Sequence, residues 1–147
     1  MILDRTIFAP GTITDLPAIR SVHKRAFGRN VEPDLVQKLI EAEETTLDLY
    51  ASIDGTIVGH GVQSELKGPP KSMALAPLAV DPVWRDFQIG TELVRQLLAN
   101  ARSAGWRSVF VLGDPVYYGR FGFKSELADC VECIYQGSSF QALELVK

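Results

Sequence analysis

Between Met73 and Leu112 the hydrophobic pattern changes period twice, and that change restricts the fold more than any other feature of the chain. Met73 to Val80 is an unbroken apolar run of strand length, ended by Asp81-Pro82. From Gly90 to Ala104 the residues Leu93, Leu97, Leu98 and Ala101 fall on one face of a helix, with Gly105 as its C-terminal stop. Ser108 to Leu112 then reads as a second buried strand. Strand, helix and strand in that order make a right-handed βαβ unit, so the two strands run parallel and a ligand gathers at their carboxyl ends.

The flanking elements read from the same signals. Ile7 to Ala9 is a short strand, followed by Pro10-Gly11 and a helix opening at Thr14 or Asp15 and stopped by Gly28. Its core stripe is Leu16, Ile19, His23 or Val22, Ala26 and Phe27; His23 is expected on the polar flank. A second helix, Pro33 to Glu43, turns Leu35, Leu39 and Ile40 inward. Leu47 to Ile53 and Thr56 to Glu65 are β-rich runs around Asp54-Gly55, a pair whose readiness to take positive φ makes it a strong hairpin signal. Gly68-Pro69-Pro70 ends the hairpin. After Gly113-Asp114-Pro115 come a short aromatic turn or helix and two strands, near Cys130 to Tyr135 and Phe140 to Val146.

Composition narrows the function classes. The 147 residues are 46% hydrophobic and 22% charged, the balance of one ordinary globular domain, expected here to span residues 1–147. No run approaches a membrane span, and the start lacks the pattern of a signal peptide, so a cytoplasmic location is expected. A formal charge of −3 argues against general nucleic-acid binding, which needs many cations facing phosphates. Cys130-Val-Glu-Cys133 is a lone C-x-x-C without the further ligands zinc needs or the strand-to-helix context of a redox site; two partly buried thiols on a strand is the reading, and no metal is expected.

Chemistry concentrates after the first parallel strand, in Leu78-Ala79-Val80-Asp81-Pro82-Val83-Trp84-Arg85-Asp86-Phe87-Gln88-Ile89-Gly90-Thr91. A strand that runs through a loop into a helix offers free backbone N–H groups and the positive end of a helix dipole to one point, which suits a diphosphate. From Arg85 to Arg107 four arginines face Asp86 and Glu92, a local balance of +2. Neither G-x-G-x-x-G nor G-x-x-x-x-G-K-S/T occurs, so this is no Rossmann or P-loop site.

This segment resembles motif A of the GNAT superfamily of N-acetyltransferases, Gln/Arg-x-x-Gly-x-Gly/Ala, with Arg85 in the first position and Gly90 in the last. Tyr118-Gly119-Arg120-Phe121-Gly122-Phe123 is similar to the family's Tyr-x-x-x-Gly-Phe motif. Val111 to Tyr118 is similar to the small bacterial YhbS-like acetyltransferases, and the element order agrees over nearly the whole chain. The resemblance implies an α+β, three-layer α/β/α fold with a mixed, mostly antiparallel sheet, a central βαβ unit and splayed parallel strands. One departure stands out: Gln88 replaces the middle glycine, at a cost of roughly 1–2 kcal/mol if that position is left-handed.

It further implies acetyl-CoA as co-substrate, with Leu78, Ala79, Val80, Arg85, Asp86, Phe87, Gln88, Ile89, Gly90 and Thr91 as cofactor-binding residues, and direct transfer to an amine without an acyl-enzyme. Leu78 to Val80 match the strand whose backbone N–H serves the oxyanion, and Pro77, lacking an N–H, helps open that strand. Tyr118 matches the general acid that serves the leaving thiolate, and Tyr117 is its adjacent alternative. A phenol near pKa ~10 donating to a thiolate near ~8.5 is uphill by about 2 kcal/mol, so the site must lower that pKa or rely on hydrogen bonding. The strand Met73 to Val80 carries no carboxylate; His60, Glu65, Glu44 or water are the candidates for taking the amine's proton. Six carboxylates between Glu32 and Asp48 face Lys38 alone, which would favour a cationic acceptor or equally make a solvated face. A homodimer is compatible with all of this. The rival reading is a GNAT-like module that binds acyl-CoA without useful transfer.

Overall fold

The computed structural model describes residues 1–42, 46–128 and 140–145. A six-stranded sheet is built in chain order from β1 (Thr6–Ala9), β2 (Thr46–Ile53), β3 (Thr56–Glu65), β4 (Ser72–Val80), β5 (Ser108–Leu112) and β6 (Phe140–Glu144). All neighbours are antiparallel except β4 and β5, which flank α3 (Ile89–Ser103) and run parallel, completing the βαβ unit. At the β2–β3 turn Asp54 and Gly55 both take positive φ, 49° and 83°, as a two-residue hairpin with right-handed strand twist demands.

Helices cover both faces, giving three layers. α3 buries Leu93, Val94, Leu97 and Ala101, in register with the stripe read from the sequence. On the opposite face α1 (Leu16–Phe27) and α2 (Val31–Glu41) pack Ile19 and Val36 against Val62 of β3. Two short helices, α4 (Pro115–Gly119) and α5 (Ser125–Ala128), join β5 to the region before β6. No described helix is long and apolar enough to cross a membrane.

Two departures from the sequence reading have local causes. Gly28 closes α1 in the left-handed conformation and α2 begins at Val31, not Pro33, with Asn30 at the N-cap position but its side chain accepting from Lys24; proline fits the first turn because N–H groups there have no intrahelical acceptor. Val36, packed with Ile19 and Val62, sets the face the sheet sees, and Leu35, expected inward, is exposed. In α1 both Val22 and His23 are fully buried, so His23 is no polar flank, whereas Phe27 at the helix end is 40% exposed. The Cys130–Cys133 pair, the strand read near Cys130 to Tyr135, and Glu44 lie outside the described residues.

The sheet also opens between its two parallel strands. β4 pairs with β5 only through Ser72–Ala74 and Ser108–Phe110, although β4 continues to Val80. Its last residues are held on the other side alone, where His60 opposes Ala79 and Gly61 opposes Leu78. Pro77 lies in this unpaired stretch and brings no N–H that a neighbouring strand would miss.

Candidate active site

The opening between the parallel strands leads into a cleft of about 480 Å³. Its floor is Leu78, Ala79 and Val80 of β4, and one wall is the loop and first turn of α3, with Arg85, Asp86, Gln88, Ile89, Gly90 and Thr91. Ala26 and Phe27 from the end of α1 and Tyr117 and Arg120 from the α4 region close the remaining sides. Of the residues read as cofactor-binding, only Phe87 is not part of the lining: its ring is tilted against Trp84, with centroids 5.8 Å apart.

The backbone of this wall explains its chemistry. Gln88 sits at φ 68°, ψ 14° as the N-cap of α3, and its side chain makes no capping bond. Asp86 is also left-handed, at φ 71°. A left-handed residue directly ahead of a right-handed helix turns successive N–H groups toward one point, and the first-turn N–H groups have no helical acceptor of their own. Ile89, 1% exposed, anchors this turn in the core while its backbone stays at the cleft. The expected strain at Gln88 is therefore present, inside the loop that leads into α3.

Of the four arginines between Arg85 and Arg107, Arg85 alone lines the cleft. Arg95 pairs with Glu92 and Arg102 donates to the Leu145 carbonyl. Three of the six carboxylates in the acidic stretch have internal partners: Glu32 pairs with Arg29, Asp34 with Arg20, and Asp48 accepts from the Gly11 N–H and bonds His60. Glu41 is exposed, and Glu43 and Glu44 lie outside the described residues.

The two tyrosines divide the remaining space. The Tyr117 hydroxyl lies 3.4 Å from Thr91 Oγ1, over the start of α3, and the Arg120 guanidinium covers the Tyr117 ring at 4.6 Å from its centroid. Tyr118 turns the other way, its ring edge-on to Phe123 and laid against Gly113, where a Cβ would come within 2.5 Å of it. Burial first, then the Tyr117 phenol beside it, push the Tyr118 pKa up to about 12. Sequence reasoning missed Trp84, Arg120, Ala26 and Phe27 as cleft residues; the signal for Arg120 lay in its place inside the Tyr118–Phe123 motif.

None of the proposed bases with a described position reaches the cleft. His60 is fully buried and engaged at both nitrogens, by His23 and Asp48. Glu65 opposes Met73, at the far end of β4 from the cleft floor. Among the described lining residues the carboxylate belongs to Asp86, in the loop that leads into α3.

Comparison with known proteins gives this arrangement a context. The pattern of the Acetyltransferase (GNAT) family matches residues 16–123. Two uncharacterized N-acetyltransferases of Escherichia coli K12 are similar in sequence. YjhQ is 40% identical over 118 residues, covering 76% of this chain and 65% of YjhQ, so the chain spans less than two thirds of that relative. YhbS is 33% identical over 137 residues, covering 89% of this chain and 82% of YhbS. The crystal structure of E. coli YhbS in complex with CoA superposes with a TM-score of 0.88 at 30% identity, covering 97% of this chain and 82% of that one. A Brucella melitensis GNAT family acetyltransferase in complex with acetyl-CoA gives a TM-score of 0.79 at 31% identity, covering 97% and 89%.

Proposed function

The chain belongs to the GNAT acetyltransferase family, and on that premise we propose that it is one N-acetyltransferase domain moving an acetyl group from acetyl-CoA directly to a primary amine of a small molecule or peptide. The observation that carries this reading is the meeting, in one cleft, of an anion-facing helix start with the unpaired end of β4. In this reading the diphosphate is held by the N–H groups of residues 86–91 with Arg85, and the pantetheine arm runs along Leu78 to Val80. The CoA and acetyl-CoA complexes of the two superposed relatives support it.

Transfer needs three things of these residues. As the amine nitrogen bonds to the thioester carbon, charge builds on the carbonyl oxygen, and backbone N–H groups of β4 freed by the splay are suited to receive it. As the carbon–sulfur bond breaks, the electron pair leaves on sulfur and calls for a donor. Tyr118 holds the family's position for that donor. With its pKa near 12, full transfer to a thiolate near 8.5 would be uphill by about 5 kcal/mol, so its part is a hydrogen bond to the leaving sulfur. Tyr117 is the second reading for this role, favoured by its place in the cleft lining. The amine must also shed a proton before attack, and in this reading solvent water takes it.

The test is release of CoA from acetyl-CoA across a panel of primary amines, with mass spectrometry of the acylated product. Amine-dependent release with a product 42 Da heavier (the acetyl increment, roughly, for one acyl transfer) is the expected result. Heat stabilisation by acetyl-CoA with no product from any amine would replace it by the reading of an acyl-CoA-binding module.

A further inference from the structure

We propose that Arg120 recognises the 3′-phosphate of coenzyme A and so makes this chain prefer CoA to dephospho-CoA; the inference rests on the acyl-CoA reading above and assigns one more contact within it. Among the described arginines, Arg5, Arg20, Arg25, Arg29 and Arg95 each pair with a carboxylate. Arg85 and Arg120 have no such partner among the described residues, and both line the cleft. They do not stand at the same point. Arg85 belongs to the loop that leads into α3, where the free N–H groups already converge.

Arg120 is set apart from that loop by one aromatic ring. The Tyr117 hydroxyl touches Thr91 in the first turn of α3 at 3.4 Å, and the guanidinium of Arg120 lies over the ring of the same tyrosine at 4.6 Å. Stacking leaves the in-plane N–H donors of a guanidinium free and limits its rotation, so the fork is oriented before a ligand arrives. Coenzyme A carries three phosphates, two in the diphosphate and one on the ribose 3′ position, a sugar away. For a ligand with its diphosphate at the start of α3, a guanidinium one aromatic ring away, as Arg120 is, lies at a separation comparable to that between the diphosphate and the 3′-phosphate. Its exposed setting suits the doubly charged, hydrated phosphate at the outer end of the ligand, not the thioester end, which must reach the unpaired part of β4.

Calorimetric titration of wild type, Arg120→Gln and Arg120→Lys with CoA and with dephospho-CoA tests this. Wild type is expected to bind CoA about tenfold more tightly than dephospho-CoA, as a charge-assisted guanidinium–phosphate contact at a rim would give. Arg120→Gln should lose that preference by weakening for CoA alone, and Arg120→Lys should keep part of it, since the charge remains but the planar fork does not. Equal weakening of both ligands in Arg120→Gln would overturn the assignment and make Arg120 a second clamp on the diphosphate. A wild type that binds both ligands equally would overturn it as well. A wild type that binds neither overturns the acyl-CoA reading itself, and this inference with it, and is distinguished by the lack of heat in every titration.

Discussion

Nε2 of His23 lies 2.9 Å from Nδ1 of His60, and both side chains are fully buried, one on α1 and the other on β3. Nε2 of His60 is in turn 2.9 Å from Asp48 Oδ2, which also accepts from the Gly11 N–H at 3.1 Å. A carboxylate only accepts, so His60 presents its proton at Nε2, its bare Nδ1 accepts from His23 Nε2–H, and His23 is left with an acceptor nitrogen at Nδ1. That last atom is buried without a partner among the described residues. The chain fixes both tautomers and ties α1 through β3 to β2 and the loop after β1.

This arrangement makes the fold acid-sensitive. Burial, and secondarily the His60 beside it, lower the His23 pKa to about 3, against a partial opposing pull from Glu32. The unfolded chain takes up this proton near pH 6.5, while the folded chain resists it until about 3. Stability is therefore complete above the unfolded value and falls as pH drops below it, at up to about 1.4 kcal/mol per unit. Urea unfolding should show a loss of about 1 kcal/mol between pH 6 and pH 5 that is missing in His23→Gln. Parallel pH profiles for the two proteins would show that His23 does not set the slope.

Relieving the backbone at Gln88 should stabilise the protein. An L residue at φ 68° costs roughly 1–2 kcal/mol, and the entropy of an added glycine returns about 0.5–1 of that. Gln88→Gly should therefore gain about 0.5–1 kcal/mol in thermal or urea unfolding without ligand. If the amide also donates to the diphosphate, the same variant will bind CoA less tightly; unchanged or tighter binding would show that the backbone alone makes the contact.

The elements legible in the sequence are those whose cause is local. Asp54-Gly55 makes its turn wherever it occurs between strands, and the leucines of α3 specify their buried face by spacing alone. The loop from Arg85 to Thr91 could be read because free N–H groups at a helix start need no distant partner. What escaped depends on distance or on small rotations. His23 and His60 are 37 positions apart, and nothing near either one announces that they meet. In α2 Leu35 and Val36 stand only about 100° apart, and either one completes a stripe with Leu39 and Ile40; the packing against Ile19 and Val62 selects Val36. Which of Tyr117 and Tyr118 faces the cleft depends on the phase of a five-residue helix and on the bare backbone of Gly113, neither of which has a periodic signature.

The ion pair that ties α1 to the turn after β4 has a measurable energy. Arg25 Nε donates to Asp81 Oδ2 at 2.7 Å, joining the end of α1 to the start of the loop that precedes α3. Asp81 Oδ1 also accepts from the Val83 N–H at 3.0 Å, capping the turn at Pro82–Trp84. Because Arg25 is half exposed, Arg25→Ala should cost no more than about 1 kcal/mol. Asp81→Ala removes the cap too and should cost about 1–2 kcal/mol. The double variant should be little worse than Asp81→Ala; a fully additive loss would mean that the two residues act independently.

The tyrosine pair admits a decisive kinetic comparison. Tyr118→Phe keeps the ring against Gly113 and Phe123, so its unfolding free energy should stay within about 0.5 kcal/mol of wild type. If its hydroxyl serves the leaving sulfur, kcat should fall by roughly 10- to 100-fold with little change in KM for acetyl-CoA. Tyr117→Phe should leave kcat nearly unchanged and raise KM for acetyl-CoA a fewfold, because it removes the hydroxyl that sits over the start of α3 while keeping the ring under Arg120. With the Tyr118 pKa raised to about 12, this phenol stays protonated through pH 10, so it should impose no alkaline fall in rate below that point. The reverse pattern, kcat collapsing in Tyr117→Phe and surviving in Tyr118→Phe, would move the donor to the tyrosine that lines the cleft.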